Sequence, residues 1–238
     1  MYVVARMADK RSKLIVVDKA DDAKTAAEWI LKQADQAAKA RGVCTIALAG
    51  GATPRPVYEE LGRSALPWDQ IDWYFSDERR VPMDHPDSNY RMVLETLFKD
   101  HIEALGRTYR MPADAPDVES AAAHYGRRFP ESVDILLLGL GSDGHTASLF
   151  PGSPALDIDT RRVVASRSPK PPHDRLTITR PVIENARTIV MLATGVEKAP
   201  MVARALGGAL DVKSIPAQLA RQATWIVDKA AAGQMLNP

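Results

Sequence analysis

The sequence has one cysteine and almost no net charge. Cys44 has no partner for an internal disulfide bond and lies within an apolar run, so we expect it to pack as a small hydrophobic residue. Lys and Arg total 31 against 30 Asp and Glu. This balance gives no reason to propose a nucleic acid or membrane partner, and an anionic ligand would need a local binding site.

Long apolar segments are also missing. No stretch approaches the length of about 20 residues that crosses a membrane as a helix. Residues 1–19 carry charges throughout and lack the apolar region of a secretory signal. Internal repeats and low-complexity tracts are absent, and no basic helix-turn-helix segment is present. We therefore expect residues 1–238 to form a single domain located in the cytoplasm.

Short apolar runs alternate with segments of helical periodicity, and this pattern predicts an α/β fold with a mainly parallel sheet and helices on both faces. In the first helix, Asp22 is the predicted N-cap and Gly42 the residue that ends it. Strands are predicted at Val43–Ala49, Ile71–Phe75, Val133–Leu138, Thr188–Ala193 and Thr224–Asp228, and further helices at Pro54–Leu61, Asn89–Phe98, Glu119–Arg128 and Glu197–Leu206.

The segment Ser166–Arg175 interrupts this alternation because it contains Pro169, Pro171 and Pro172. Proline removes a backbone donor, so we expect the segment to be extended and neither a helix nor a central strand. We interpret it as a loop at the functional site.

Four polar loops each follow a predicted strand. Ligands of open parallel sheets bind outside the carboxyl ends of the strands, so these loops are expected to meet at one edge. They are GGATP (Gly50–Pro54), SDERRVPMDH (Ser76–His85), GLGSDGH (Gly139–His145) and TGVEK (Thr194–Lys198).

The GGATP loop has two interpretations, a phosphate-binding turn or a tight turn without a ligand. Gly50 and Gly51 would let the backbone approach a ligand closely, and Thr53 adds a hydroxyl. The helix that follows would present free N–H groups and the positive end of its dipole. A phosphate would also need cations, which Arg175 and Lys198 could supply.

The charged run after the second strand is either a solvated face or part of the site. Asp77 is expected at the strand end, where its carboxylate could pair with Arg79. Asn89 lies farther along the same segment.

Gly139, Gly141 and Gly144 match the spacing of a dinucleotide-binding turn, G-x-G-x-x-G. That function requires a following helix and an acidic residue at the end of the next strand, but Pro151 comes almost at once. The turn instead carries His145, and a histidine side chain can act as a base at physiological pH. Asp77 and Asp143 are both candidates for the carboxylate that orients it.

Residues 48–61, 72–92, 135–152 and 175–202 together resemble the 6-phosphogluconolactonase family, most specifically in SDERRVP and DGHTASLFP. The resemblance implies a Rossmann-like fold similar to glucosamine-6-phosphate deaminase. It also implies hydrolysis of 6-phospho-glucono-1,5-lactone to 6-phosphogluconate in the oxidative pentose phosphate pathway, without a metal or redox cofactor. The expected partner is this small sugar phosphate lactone, bound by a monomer or small homo-oligomer.

Site roles also follow from the resemblance. It implies that His145 is the general base that activates water, and that Asp77 and Arg79 position this histidine and the lactone. Asp143 would brace the turn, with Gly144 and Asn89 in supporting positions. Residues implied to hold the phosphate are Gly50, Gly51, Thr53, Arg175 and Lys198. Ala52 departs from the serine usual in the family, which predicts weaker phosphate binding.

Two alternatives stay open at this point. Glucosamine-6-phosphate deaminases follow the DGH motif with Asn-Glu-Pro, whereas this chain has Leu149-Phe150-Pro151, and they carry a tyrosine at the position of Arg79. A non-catalytic sugar-phosphate sensor would keep the phosphate site without needing His145. The sequence features favour the lactonase over both.

Overall fold

The computed structural model describes residues 3–6 and 13–236 of the chain. Strands and α-helices alternate through most of this part. The strands are β1 (Val3–Arg6), β2 (Lys13–Val17), β3 (Cys44–Leu48), β4 (Ile71–Phe75), β5 (Asp77–Arg79), β6 (Ile135–Gly139), β7 (Val163–Arg167), β8 (Asp174–Ile178), β9 (Ile189–Ala193) and β10 (Thr224–Asp228). The helices are α1 (Asp22–Arg41), α2 (Pro54–Gly62), α3 (Asn89–Glu95), α4 (Val118–Arg128), α5 (Arg180–Asn185), α6 (Ala199–Gly207) and α7 (Lys229–Leu236).

The main sheet has seven strands in the order β1-β2-β10-β9-β6-β3-β4. All neighbours from β2 to β4 are parallel, and only β1 runs antiparallel, beside β2. Helix α1 packs on β3, β6 and β10 and beside α2, while α6 packs beside α7. The predicted α/β fold with a mainly parallel sheet is confirmed.

All five predicted strands are present, two of them with the predicted bounds, and the five predicted helices differ only at their ends, whereas α5 and α7 were not predicted. The N-cap of α1 is Asp21 rather than Asp22, but Gly42 ends the helix as predicted, with φ of 77°. Helix α3 ends at Glu95 rather than Phe98. The hydroxyl of Thr96 donates to the carbonyl of Met92 at 2.7 Å, a local bond that competes with helix continuation.

A second, antiparallel sheet was not predicted. Its order is β5-β8-β7, so β8 is its central strand. The expectation that Ser166–Arg175 contains no central strand is therefore wrong at its end, because Asp174 and Arg175 belong to β8. The three prolines all lie within residues 168–173, between the strands, so β7 and β8 keep the N–H donors that their pairing requires.

The topology creates a crevice at the carboxyl end of the main sheet. The chain leaves β3 through α2 toward β4, but it leaves β6 toward β9 on the other side. Such a reversal separates the loop that follows β3 from the loop that follows β6 and opens a ligand site between them. Fully buried apolar residues, including Ile46, Leu137 and Val190, hold these strands in place. None of the helices in the described part of the chain is both long and apolar enough to cross a bilayer.

Candidate active site

A cleft with a volume of about 440 Å³ lies at the carboxyl ends of β9, β6, β3 and β4. The four polar loops converge on it, as expected, and the β7–β8 turn contributes Ser168, Pro169 and Lys170. Gly144 and Asn89 are not among the residues that line it, and Asn89 is buried. The predicted residues that line the cleft are Gly50, Gly51, Thr53, Asp77, Arg79, Asp143, His145, Arg175 and Lys198.

His145 is held by the turn that precedes it. Its Nδ1 atom lies 2.5 Å from Oδ1 of Asp143, and its backbone N–H donates to the same oxygen at 3.1 Å. The N–H of Gly141 donates to the carbonyl of His145 at 2.9 Å and closes the turn. A side chain at Gly141 would collide with Nδ1 of His145, so this close packing requires glycine.

The Asp143 carboxylate fixes the protonation pattern of the imidazole. Burial raises the pKa of Asp143, but the hydrogen bond and charge of His145 outweigh burial and lower that pKa to about 2. The carboxylate is thus ionised at neutral pH and can only accept a hydrogen bond. Nδ1 therefore carries the hydrogen, and in the neutral ring Nε2 is free to accept a proton. The ring of Phe150 packs 4.7 Å from the imidazole centroid.

Among the described residues, Asp77 makes no ion pair with Arg79 and no hydrogen bond with the imidazole, contrary to both expectations. Its Oδ2 atom accepts from Oγ of Ser148 at 2.7 Å, and Nδ2 of Asn89 donates to its carbonyl at 2.9 Å and to Oδ1 at 3.3 Å. The carboxylate that orients His145 is Asp143, because it lies on the same turn. Ser148 was not singled out from the sequence, although it belongs to the DGHTAS motif.

The small sheet brings two arginines side by side. Arg79 in β5 pairs directly with Arg175 in β8, so their side chains share one face. Arg175 is only 7% exposed, and its buried Nε and Nη1 atoms have no hydrogen-bond partner in the described residues. Burial, and then the charge of Arg79, lower the pKa of Arg175. Nη1 of Arg79 donates to the carbonyl of Asp87 at 2.5 Å.

Glu78 points to the opposite face of β5, since alternate residues of a strand face opposite ways. Its carboxylate accepts from the backbone N–H groups of Arg79, Asn89 and Tyr90 at 2.7–2.8 Å and from Oγ of Ser88. Burial raises the pKa of Glu78, and these N–H donors oppose that rise. Glu78 thus holds the start of α3 against β5. Sequence reasoning assigned it no role, because a three-residue strand gives no readable alternation.

The Gly50–Pro54 loop exposes fewer helix donors than expected. Pro54 and Pro56 both lie in the first turn of α2 and lack N–H groups. Thr53 is the N-cap, but its side chain makes no capping bond. Gly51 and the next two residues line the cleft, and their N–H groups donate no backbone hydrogen bond among the described residues. A side chain at Gly50 would collide with the Asn89 amide, which fixes this loop against α3.

Lys198 ends the short 3-10 helix Val196–Lys198 and lines the cleft from the side of β9. Its side chain is half-buried and makes no ion pair within the part of the chain that the structure describes. Lys170, which the sequence analysis did not select, adds a further cation at the rim. With Arg79 and Arg175, these lysines give the cleft four cationic side chains.

Residues 17–227 match a family model described as glucosamine-6-phosphate isomerases/6-phosphogluconolactonase. The chain belongs to this family. Among relatives of the family, a 6-phosphogluconolactonase of Synechocystis sp. is 39% identical over 213 residues, which cover 83% of this chain and 87% of that protein. A 6-phosphogluconolactonase of Streptomyces coelicolor is 35% identical and covers 96% of both chains.

The fold agrees with that of solved family members. The structure of 6-phosphogluconolactonase from Trypanosoma brucei aligns with a TM-score of 0.83 and 28% sequence identity, covering 93% of this chain and 98% of that one. The structure from Shewanella baltica aligns with a TM-score of 0.80 and 30% identity, covering 90% and 96%. The family resemblance of the sequence is thereby confirmed.

Proposed function

We propose that this protein is a 6-phosphogluconolactonase, which hydrolyses 6-phospho-D-glucono-1,5-lactone to 6-phospho-D-gluconate in the oxidative pentose phosphate pathway. One observation carries the proposal: an imidazole oriented by a carboxylate lines the same cleft as a buried guanidinium, two nitrogens of which have no hydrogen-bond partner among the described residues. The first group can activate water and the second can bind an anion. Relatives named 6-phosphogluconolactonase over almost the full chain support the same activity.

The proposed reaction needs one base and no redox step. Nε2 of His145 removes a proton from water while the water oxygen attacks the lactone carbonyl carbon. The tetrahedral intermediate collapses with cleavage of the bond between C1 and the ring oxygen. The imidazolium returns its proton to that ring oxygen, which becomes a hydroxyl, and the new carboxylic acid loses its proton to solvent. Asp143 stabilises the imidazolium through the Nδ1–H bond. No metal or cofactor enters this scheme.

The cationic side of the cleft suits the phosphate. Arg175 and Lys198 are proposed to pair with phosphate oxygens, with donors from the loop of Gly50, Gly51 and Thr53. The buried Nε and Nη1 atoms of Arg175 have no hydrogen-bond partner among the described residues, which supports this assignment because a bound anion would accept from them. Arg79, beside Arg175, is proposed to position the lactone.

The family description also covers glucosamine-6-phosphate isomerases, and two residues argue against that activity here. Phe150, an apolar side chain, packs on the His145 ring where the deaminase motif carries an acid. Arg79 replaces the deaminase tyrosine. Ring opening of an amino sugar by an acid at the Phe150 position is therefore not available to this chain.

The remaining proposals concern the protein as a whole. We propose that residues 1–238 act as one lactonase-like α/β domain, in the cytoplasm, as a monomer or small homo-oligomer without a nucleic acid partner. The near balance of positive and negative charge supports the last point, the absence of a nucleic acid partner.

The deciding experiment follows hydrolysis of 6-phosphogluconolactone, generated in place by oxidation of glucose 6-phosphate, against its spontaneous rate near neutral pH. The wild type should hydrolyse the lactone faster than the spontaneous reaction does. The enzymatic rate of His145→Ala should be about 10²–10⁴-fold lower than that of the wild type. His124→Ala, an exposed histidine on α4, is the control. A wild type at the spontaneous rate would exclude the lactonase. Ammonia release from glucosamine 6-phosphate would then be measured.

A further inference from the structure

Asp228 is a buried carboxylate outside the cleft lining. It ends β10, which pairs in parallel with β9, so that Val227 lies opposite Ala193. Its side chain reaches across to the loop that follows β9. The N–H of Gly195 donates to both carboxylate oxygens, at 3.1 and 3.0 Å, and the N–H of Ala231 donates to Oδ1 at 2.7 Å. Asp228 is only 2% exposed.

The Gly195 peptide connects this carboxylate to Lys198. While the N–H of Gly195 points to Asp228, its carbonyl accepts from the N–H of Lys198 at 3.0 Å. Gly195 has φ of 98°, and a side chain there would collide with the Glu197 carboxylate. The positive φ at this position therefore favours glycine. Because both the N–H and the carbonyl of Gly195 are hydrogen-bonded, the backbone of the loop is fixed at this residue.

Capping of α7 alone does not require a carboxylate. Asn and Ser satisfy a helix N-terminus about as well as Asp. The contact to Gly195 is different from a helix cap, because its N–H group lies against both carboxylate oxygens of Asp228. Only a carboxylate has two acceptor oxygens, whereas asparagine has one oxygen and one N–H₂ group. No cation pairs with Asp228 among the residues that the structure describes. A buried carboxylate at residue 228 is therefore more than the capping of α7 requires.

We propose that Asp228 is a positioning residue that holds the Lys198 loop in place for the phosphate group of the substrate. The inference rests on the proposed function, since it assigns Lys198 to the phosphate. Asp228 touches no substrate, and its effect should appear only with ligands that carry the phosphate.

The test compares Asp228→Asn with wild type on 6-phosphogluconolactone and on unphosphorylated glucono-1,5-lactone. Asparagine keeps the cap acceptor but turns an N–H₂ group toward Gly195. We expect KM for the phosphorylated lactone to rise about tenfold, with kcat and the rate on the unphosphorylated lactone unchanged. Adding Asp228→Asn to Lys198→Ala should cause little further loss. Asp117→Asn, which alters the N-cap of α4, is the matched control.

Each other outcome has a defined meaning. Equal losses on both lactones, with a lower Tm, would show that Asp228 only caps α7 and would overturn the proposal, as would unchanged kinetics on both. If the wild type does not exceed the spontaneous rate, the lactonase itself fails. Titration calorimetry with inorganic phosphate then decides separately: weaker binding to Asp228→Asn than to wild type supports the positioning role, and equal or absent binding overturns it.

Discussion

Arg79 and Arg175 lie directly opposite each other in β5 and β8, and two buried nitrogens of Arg175 have no partner. We expect these two adjacent cations to destabilise the protein without a ligand, because burial and the charge of Arg79 outweigh the opposing charges of Asp77, Glu78 and Asp87 at Arg175. A bound anion removes both penalties. The Arg79–Arg175 pair is therefore expected to lower the stability of the free protein and to favour binding of an anion. A substitution of one arginine should separate these two effects.

Replacement of Arg175 by methionine keeps most of the side-chain volume and removes the charge. We expect Tm to rise by about 2–4 °C, corresponding to about 1 kcal/mol in a domain of this size. At the same time kcat/KM should fall about a hundredfold, and 6-phosphogluconate should no longer raise Tm in thermal unfolding. Arg180→Met, at an exposed ion pair on α5, serves as the control. A lower Tm for Arg175→Met would contradict this account of the pair.

Gly141 should be far more important for activity than for stability. In Gly141→Ala the new methyl group must displace the His145 ring or the Asp143 carboxylate. A shift of about 1 Å in a catalytic group can cost about 10²-fold in rate, so we expect such a loss in kcat. Gly207→Ala, where an added methyl meets no atom, should keep the wild-type rate. Near wild-type kcat in Gly141→Ala would mean that the orientation of His145 does not limit the reaction.

The Asp143–His145 pair should also appear in the pH dependence of stability. The pKa of Asp143 is lowered from 3.8 to about 2, so the folded state favours the carboxylate. Its contribution is complete above pH 4 and is lost as the pH falls toward 2. Urea midpoints of wild type and Asp143→Asn, measured from pH 5 to 2, should therefore converge at the acid end. A constant difference across this range would contradict the lowered pKa.

Asp134 provides a test of stability that leaves the cleft untouched. It lies at the amino end of β6, 6% exposed, where it accepts from the N–H and Oγ1 of Thr45 and pairs with Arg41 and Arg187. Asp134→Ala should lower the free energy of unfolding by about 2–3 kcal/mol, measured with urea, and leave kcat/KM within about twofold. Asp35→Ala, at an exposed ion pair with Lys39, should change stability by less than about 0.5 kcal/mol. A comparable loss in both variants would count against the buried network.

Five of the seven strands of the main sheet could be predicted, because they are short apolar runs, most of which end in polar loops, whereas β1 and β2 were not predicted. Ile71–Phe75 and Thr224–Asp228 have the predicted bounds, and Gly42 ends the first helix through its positive φ. The same reasoning predicted that the loops carrying Gly50 and His145 meet at one edge. That prediction depends only on the direction of the strands. Parallel strands all run the same way, so the loops at their carboxyl ends lie at the same edge of the sheet.

The contacts within the cleft could not be predicted, because they depend on strands too short to show a pattern. Asp77 and Ser148 are separated by 71 positions, and their hydrogen bond depends on the register of β5 against β8. The same register decides that Glu78 caps α3 while its neighbours face the cleft. No periodicity in Asp77–Arg79 indicates which of these charges points to which side.

The strand order has a consequence for how the cleft is formed. Strand β6, which carries the His145 turn, lies between β3 and β9. The cleft lining combines residues 49–79 with residues 139–198, and Arg79 of the first segment lies beside Arg175 of the second. A cut between α4 and β6 would divide the chain into two inactive pieces. Turnover restored by mixing such pieces would report directly on reassembly of the sheet.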